Sequence, residues 1–111
     1  MANELCELIV SALEDVKGQN IVVLDVADRT DVFDHIIIAT GNSNRQIKAL
    51  ADNVVEEGKK AGHRPMGVEG TGTSEWVLVD FGDVIVHTML PATREFYNLE
   101  KLWGGPKLEE G

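Results

Sequence analysis

Apolar residues near the start of the chain recur at intervals of three and four positions. The series consists of Leu5, Leu8, Ile9, Ala12, Leu13 and Val16. This spacing brings side chains to one side of a helix, so it predicts an amphipathic helix with one buried stripe. Asn3 is a suitable residue to cap the start of this helix, and Gly18 is suitable to end it.

The next two segments are short and rich in β-branched residues. Residues 21–26 and residues 34–40 each predict a strand. The second contains three consecutive isoleucines, which indicates burial on both faces of a sheet.

A second helix is predicted after Gly41 and Asn42. Ser43 and Gln46 have the spacing of a capping box, which is typical of a helix start. The apolar stripe of this helix comprises Ile47, Leu50, Ala51, Val54 and Val55, and Gly62 suits its end. Residues 62–74 are rich in glycine and predict a polar, flexible loop.

Residues 75–89 predict two strands joined at Gly82-Asp83, which suits the positive φ angles of a two-residue hairpin turn. With Phe81 and Val84 flanking the turn, side chains alternate between two faces. The apolar face, which we expect to be core, comprises Val77, Val79, Phe81, Val84, Val86 and Thr88. The mixed face, which combines large apolar groups with a carboxylate and an imidazole, comprises Trp76, Leu78, Asp80, Ile85, His87 and Met89.

Pro91 ends the hairpin, and residues 92–103 predict a third helix. The order of elements is then α-β-β-α-β-β-α, which predicts a single-domain mixed α/β sheet with helices mainly on one face. Three helices cannot easily cover both faces, so we expect the mixed face to be open. We expect the domain to span residues 1–103, with a disordered tail over residues 104–111.

Size and charge narrow the possible functions. The chain has 111 residues and a formal net charge of −9, from 10 basic and 19 acidic residues. This balance argues against direct binding to nucleic-acid phosphates and favours a basic protein as partner.

The single cysteine, Cys6, excludes an internal disulfide and indicates a reducing, cytoplasmic setting. Glu4 and Glu7 do not fit a signal peptide, and the longest apolar run, residues 36–39, is too short to span a membrane.

The mixed face is the candidate partner-binding site. Large anchors with a few polar groups are typical of interface centres, and open apolar patches usually mark interfaces. The candidate contact residues are Trp76, Leu78, Asp80, His87, Met89 and Glu69. For Trp76 the alternative is a place in the core, but the polar residues on the same strand face favour the interface. An open apolar face also predicts a weak homodimer of the free protein.

No catalytic residue, metal ligand or cofactor is predicted. Ser43 follows a strand and opens a helix, where anions can bind, but it is explained as an N-cap. A nucleotidyltransferase needs carboxylates that converge on a metal, and no suitably spaced pair follows this serine. The three histidines, His35, His63 and His87, lack the spacing of metal ligands.

Several segments resemble those of one known family. They are DHIIIATGNSNRQ at 34–46, Glu69-Gly70, WVLVDFGDV at 76–84, His87, and REFYNLEKLW at 94–103. Together they resemble the Iojap-like family, the ribosomal silencing factors, over nearly the whole chain as far as Trp103. The ordered combination W-x-L-x-D, His and R-x-F-Y-x-L-E-x-L-W is highly specific.

The resemblance implies a nucleotidyltransferase-like fold without catalytic carboxylates. Because the sequence also contains no recognisable nucleophile–base pair or metal cluster, we expect that the protein is not an enzyme. It implies a translational repressor that binds the large ribosomal subunit through the interface protein numbered fourteen. Binding there would block joining of the small subunit when nutrients are short. Two hypotheses stand beside it: a small nucleotide-dependent transferase that uses Ser43 and Asp80, and a module that only forms homo-oligomers.

Overall fold

The computed structural model describes residues 2–70, 75–99 and 101. Eight elements follow one another in these residues: α1 (Ala2–Asp15), β1 (Gln19–Asp25), β2 (His35–Thr40), α2 (Asn44–Lys60), β3 (Gly67–Glu69), β4 (Trp76–Asp80), β5 (Val84–Met89) and α3 (Pro91–Tyr97). The strands form one sheet in the order β1-β2-β5-β4-β3. β2 and β5 are parallel and the other neighbours are antiparallel. The mixed α/β class is therefore confirmed.

The main core lies between α1, α2 and the apolar face of the sheet. The helices contribute Leu5, Cys6, Ile9, Ala12, Leu13, Ile47, Leu50, Ala51 and Val54, and the strands contribute Ile37, Ala39, Val77, Val79, Val84 and Val86. These sets contain most of the two predicted helical stripes and four of the six residues of the apolar face. Phe81 is partly buried against the same core and Thr88 is buried. Because the strand period is two, this placement confirms the predicted faces of the hairpin.

The hairpin has the predicted register. Val79 pairs with Val86, and Leu78 pairs with His87. The N–H of Phe81 donates to the carbonyl of Val84 at 2.9 Å. Of the two turn residues only Gly82 has a positive φ, 92°, a conformation that glycine adopts without a steric penalty.

One strand was not predicted. Within the expected loop, Gly67–Glu69 forms β3 and pairs with β4, so that Val68 lies opposite Val79. Three residues carry almost no periodic signal. The pairing arises because the backbone N–H and C=O groups on the outer edge of β4 need hydrogen-bond partners. Residues 71–74 of the predicted loop lie outside the described residues.

The start and end of α1 and the end of α3 also differ from the prediction. α1 begins at Ala2, before Asn3, and the chain turns at Lys17, which has a φ of 64°, rather than at Gly18. α3 ends at Tyr97 because Asn98 adopts a left-handed conformation with a φ of 47°. The last predicted helical residues, 102–103, and the predicted tail, 104–111, lie outside the described residues.

α3 and Leu99 lie against the mixed side of the sheet, opposite α1 and α2, where Tyr97 contacts Trp76 and Leu99 packs against the cluster that contains Met89. Arg94 fastens α3 there, because its Nη1 donates to the carbonyl of Asn20 at 2.6 Å and to Oγ1 of Thr40 at 2.7 Å. In the described part of the chain, no helix combines the length and apolar character needed to cross a membrane.

Candidate partner-binding surface

The mixed face of the hairpin continues onto the neighbouring strands. Glu69, Leu78, His87 and Ile38 form one cross-strand row. Trp76, Met89 and Thr40 form the next row. The predicted site residues therefore do share one side of the sheet, but they differ in their accessibility.

Met89 is not available to a partner. It is fully buried in a second apolar cluster with Val26, Ile36 and Ile38, and Phe33 and Leu99 pack against this cluster. His87 is buried as well, with 7% of its surface exposed. The expectation of an open mixed face is wrong at this position, because residues from the β1–β2 connection and from beyond α3 fold over the strands.

Trp76 is half-buried and held by a defined hydrogen bond. Its indole Nε1–H donates to Nδ1 of His87 at 2.9 Å. Burial lowers the pKa of His87 from 6.5 to about 4, so the imidazole is neutral near pH 7 and its Nδ1 can act as the acceptor. His87 therefore orients the indole rather than presenting itself to a partner.

An aromatic group extends from Trp76 across α3. The ring centroids of Trp76 and Tyr97 are 4.6 Å apart, and those of Tyr97 and Phe96 are 5.0 Å apart with the rings nearly perpendicular. Phe96 is 80% exposed and Tyr97 is 52% exposed. Exposed aromatic side chains in mutual contact are typical of interface anchors.

Phe96 and Tyr97 were not predicted as site residues. The predicted third helix continues through Asn98 to residue 103, and its apolar pattern includes Phe96 and Leu99. The available signal was Asn98 itself, because asparagine is one of the few residues that end helices in a left-handed conformation. Its Oδ1 then accepts the N–H of Lys101 at 3.2 Å.

The acidic and apolar rim of the surface lies on β3 and β4. Glu69 is exposed, Leu78 and Asp80 are half-buried, and Leu78 lies between Glu69 and His87. Asp80 also has a structural role, since its Oδ1 accepts the N–H of Gly82 at 2.7 Å. The Asp80 carboxylate thus stabilises the hairpin turn, and the residue is still partly exposed to solvent.

Ser43 and Asp80, the pair required by the transferase hypothesis, lie toward opposite ends of the sheet. Asp80 pairs with Ile85, which is level with Ile36 at the start of β2, whereas Ser43 follows the end of β2. The strand between Ile36 and Thr40 alone is about 13 Å long. The two side chains therefore cannot act on one reacting group in this arrangement.

Ser43 serves the helix start, as predicted. Its Oγ accepts the N–H of Gln46 at 3.1 Å. The Gln46 side chain in turn accepts the N–H of Asn42 at 2.8 Å and donates to the carbonyls of Val16 and Lys17. These bonds join the start of α2 to the residues that follow α1, and they use the N–H groups of Asn42 and Gln46.

Neither a metal site nor a thiol nucleophile is assembled in the part of the chain that the structure describes. Residues 2–70, 75–99 and 101 contain no cluster of three or more His, Cys, Asp or Glu side chains that could hold a metal ion. Cys6 lies in the main core, and burial raises the pKa of its thiol. A protonated, buried thiol is a poor nucleophile.

The fold and the surface define a small α/β domain that presents an aromatic group beside acidic side chains. The chain belongs to the ribosomal silencing factor family: the family described as "Ribosomal silencing factor during starvation" matches residues 1–110. The resemblance found in the sequence is thereby confirmed.

Individual relatives agree with this family. The chain is 53% identical over 104 residues to ribosomal silencing factor RsfS of Chromobacterium violaceum, covering 94% of this chain and 85% of that protein. A crystal structure of a protein from the same organism superposes with a TM-score of 0.93 at 51% identity, covering 96% of this chain and 89% of the other. The mouse protein named "Mitochondrial assembly of ribosomal large subunit protein 1" is 35% identical over 100 residues, covering 87% of this chain and 44% of that protein.

Proposed function

We propose that this protein represses translation by binding the large ribosomal subunit and sterically blocking its association with the small subunit. We further propose that it binds the interface protein numbered fourteen, acts in the cytoplasm and does so when nutrients are short. Membership of the ribosomal silencing factor family supports the proposal. The name of the mouse relative refers to assembly of the large ribosomal subunit, and this supports the large subunit as the binding partner.

The observation that carries the proposed contact is the aromatic group formed by Trp76, Tyr97 and Phe96. Its rings touch one another, and Trp76 is further held by His87. Side chains that are already ordered lose little conformational entropy on binding, so they make efficient anchors. The contact surface we propose consists of these three aromatic residues with Leu78, Asp80 and Glu69.

Charge supports a basic partner for this surface. Glu69, Glu75 and Glu95 are exposed near the aromatic group, and the whole chain has a net charge of −9. Such a field speeds association with a basic protein and is screened by salt. We therefore expect added salt to weaken binding mainly through the association rate.

Binding rather than catalysis is the function that this geometry supports. Ser43 is used as a helix cap, Asp80 holds a turn, and the sheet keeps them apart. These assignments leave the transferase hypothesis without an observation in its favour. The nucleotidyltransferase-like character of the fold stays a prediction.

The test compares two exposed apolar residues, one inside the proposed surface and one outside it. Phe96→Ala removes an anchor, whereas Val32→Ala alters a side chain that is 75% exposed in the β1–β2 connection. Truncation of an aromatic anchor typically costs more than about 1 kcal/mol, which is about a fivefold loss of affinity. We expect at least that loss for Phe96→Ala in sedimentation with purified large subunits, and none for Val32→Ala.

Subunit joining, followed by light scattering, tests the mechanism itself. The wild-type protein should slow joining, and Phe96→Ala should do so only at higher concentration. Joining that proceeds unchanged at saturating wild-type protein would refute steric exclusion. Equal binding by both variants would instead show that the surface is wrong while the mechanism stands.

A further inference from the structure

A groove separates α1 from the edge strand β1, on the side of the sheet opposite Trp76. Its volume is about 370 Å³, and its lining consists of Cys6, Glu7, Val10, Ser11, Glu14 and Val23. This volume falls in the range of binding pockets, about 300–1,000 Å³. The proposed ribosome contact uses none of these residues.

The lining has an apolar floor between acidic ends. Glu7, Val10 and Glu14 lie on one stripe of α1, since Val10 is three positions and Glu14 seven positions after Glu7. Val23 of β1 faces this stripe and is 43% exposed. Asp25 lies on the same face of β1 as Val23, two residues further along.

The strand beside the groove has an open edge. β1 has a single neighbour, β2, within the described sheet. Its register with β2 is irregular between Gln19 and Val22 but continuous from Val22 to Asp25. The regular half of β1 therefore offers backbone donors and acceptors to a further strand.

The groove is acidic at both ends. In the described part of the chain, none of the carboxylates of Glu7, Glu14 and Asp25 forms an ion pair with lysine or arginine. Burial raises the pKa of the Cys6 thiol, and the negative charges of Asp25 and Glu7 raise it further. A second copy of this chain would bring another set of these carboxylates to the same place, which disfavours self-pairing at β1.

We infer that this groove binds a basic, extended peptide segment of a partner protein, which adds to the open edge of β1. The partner segment places an aliphatic side chain against Val10 and Val23. Its cationic side chains, two residues to either side, meet Glu7 with Asp25 at one end and Glu14 at the other.

The spacings agree with this arrangement. Seven helical residues from Glu7 to Glu14 span about 10 Å, at 1.5 Å per residue. Four residues of an extended peptide span about 13 Å, at 3.3 Å per residue. Long lysine or arginine side chains readily absorb this difference.

The probe is a capped seven-residue peptide, Thr-Lys-Thr-Val-Thr-Lys-Thr, titrated into the full ¹⁵N-labelled chain. Amide shifts should centre on residues 22–25 and on the facing side of α1, and they should diminish with added salt. A peptide with glutamate in place of both lysines should bind at least tenfold more weakly. Shifts centred on β3 or Trp76, equal binding of the two peptides, or no binding at millimolar peptide would overturn the inference.

A matched pair of variants tests the location. Val23→Lys places a cation in the groove, whereas Val68→Lys makes the same change on the other edge strand, at a valine that is 39% exposed. We expect at least a tenfold loss of peptide affinity for Val23→Lys and less than a twofold change for Val68→Lys. Equal effects of both variants would overturn the inference. Concentration-dependent shifts of β1 amides without peptide would also overturn it, by assigning the edge to a second copy.

Discussion

Protonation of His87 should destabilise the folded protein. The imidazole is buried, and its Nδ1 accepts the indole N–H of Trp76 at 2.9 Å. A protonated imidazole has no acceptor nitrogen, so this hydrogen bond is lost and a buried charge is left without compensation. The loss of this hydrogen bond should also alter the proposed contact surface, because Trp76 packs against Tyr97.

The size of the effect follows from the pKa. The pKa of His87 is lowered from 6.5 to about 4 by burial, so the unfolded chain binds more protons than the folded chain at acidic pH. The stabilisation is therefore present above pH 6.5 and is lost as the pH falls from 6.5 toward 4. The free energy of unfolding should fall by about 2 kcal/mol between pH 7 and pH 5, and by about 3 kcal/mol once the pH is below 4.

Urea unfolding, followed by circular dichroism at a series of pH values, measures this contribution. His87→Asn is the matched variant, because its amide oxygen can accept from Trp76 but does not titrate. Other ionisable groups act alike in both proteins and cancel in the difference. The advantage of the wild type over the variant should shrink by about 2 kcal/mol between pH 7 and pH 5.

Parallel stability curves for the wild type and His87→Asn across this range would refute the reasoning. They would mean that His87 has the same pKa in the folded and unfolded chains, and hence that the imidazole is not buried as described. A difference that grows toward acidic pH would be equally incompatible, since it has the opposite sign.

Three further predictions concern packing and assembly. Val79→Ala should lower the free energy of unfolding by about 0.5–3 kcal/mol, because Val79 is fully buried. Val68 is the exposed cross-strand partner of Val79, and Val68→Ala should change this free energy by less than about 0.5 kcal/mol. Similar values for the two variants in urea unfolding would contradict the register. Gly70→Ala should destabilise the protein more than Gly62→Ala. Both glycines have a positive φ, near 90°, but only at Gly70 would a Cβ clash with a backbone oxygen, that of Trp76. The free protein should form a weak dimer through its exposed aromatic surface, and a strictly monomeric sedimentation profile at high concentration would count against this.

The hairpin illustrates what local patterns can predict. Its register depends on a two-residue period and on a glycine that supplies a positive φ at the turn, and both are visible in the sequence. The start of α2 is similar, since Ser43 and Gln46 lie within one helical turn. In both cases the interacting residues are close along the chain, so their spacing carries the information.

Two of the errors occurred where an element depends on distant residues. β3 exists because three residues pair with the edge of β4, and their own pattern does not indicate a strand. The burial of Met89 depends on Val26 and Leu99, which the chain brings from two other segments. The early end of α3 has a local cause instead, since Asn98 adopts a left-handed conformation directly after Tyr97.

The sequence by itself determined the family, the fold class, the two faces of the hairpin and the acidic character of the protein. Short-range periodicity, turn chemistry, charge counts and specific motifs are sufficient for these. Only the tertiary structure decided which residues of the mixed face remain accessible. It buried Met89 and His87 and placed the aromatic residues of α3 beside Trp76. Accessibility depends on which distant segments cover a surface, and no local period along the chain records that.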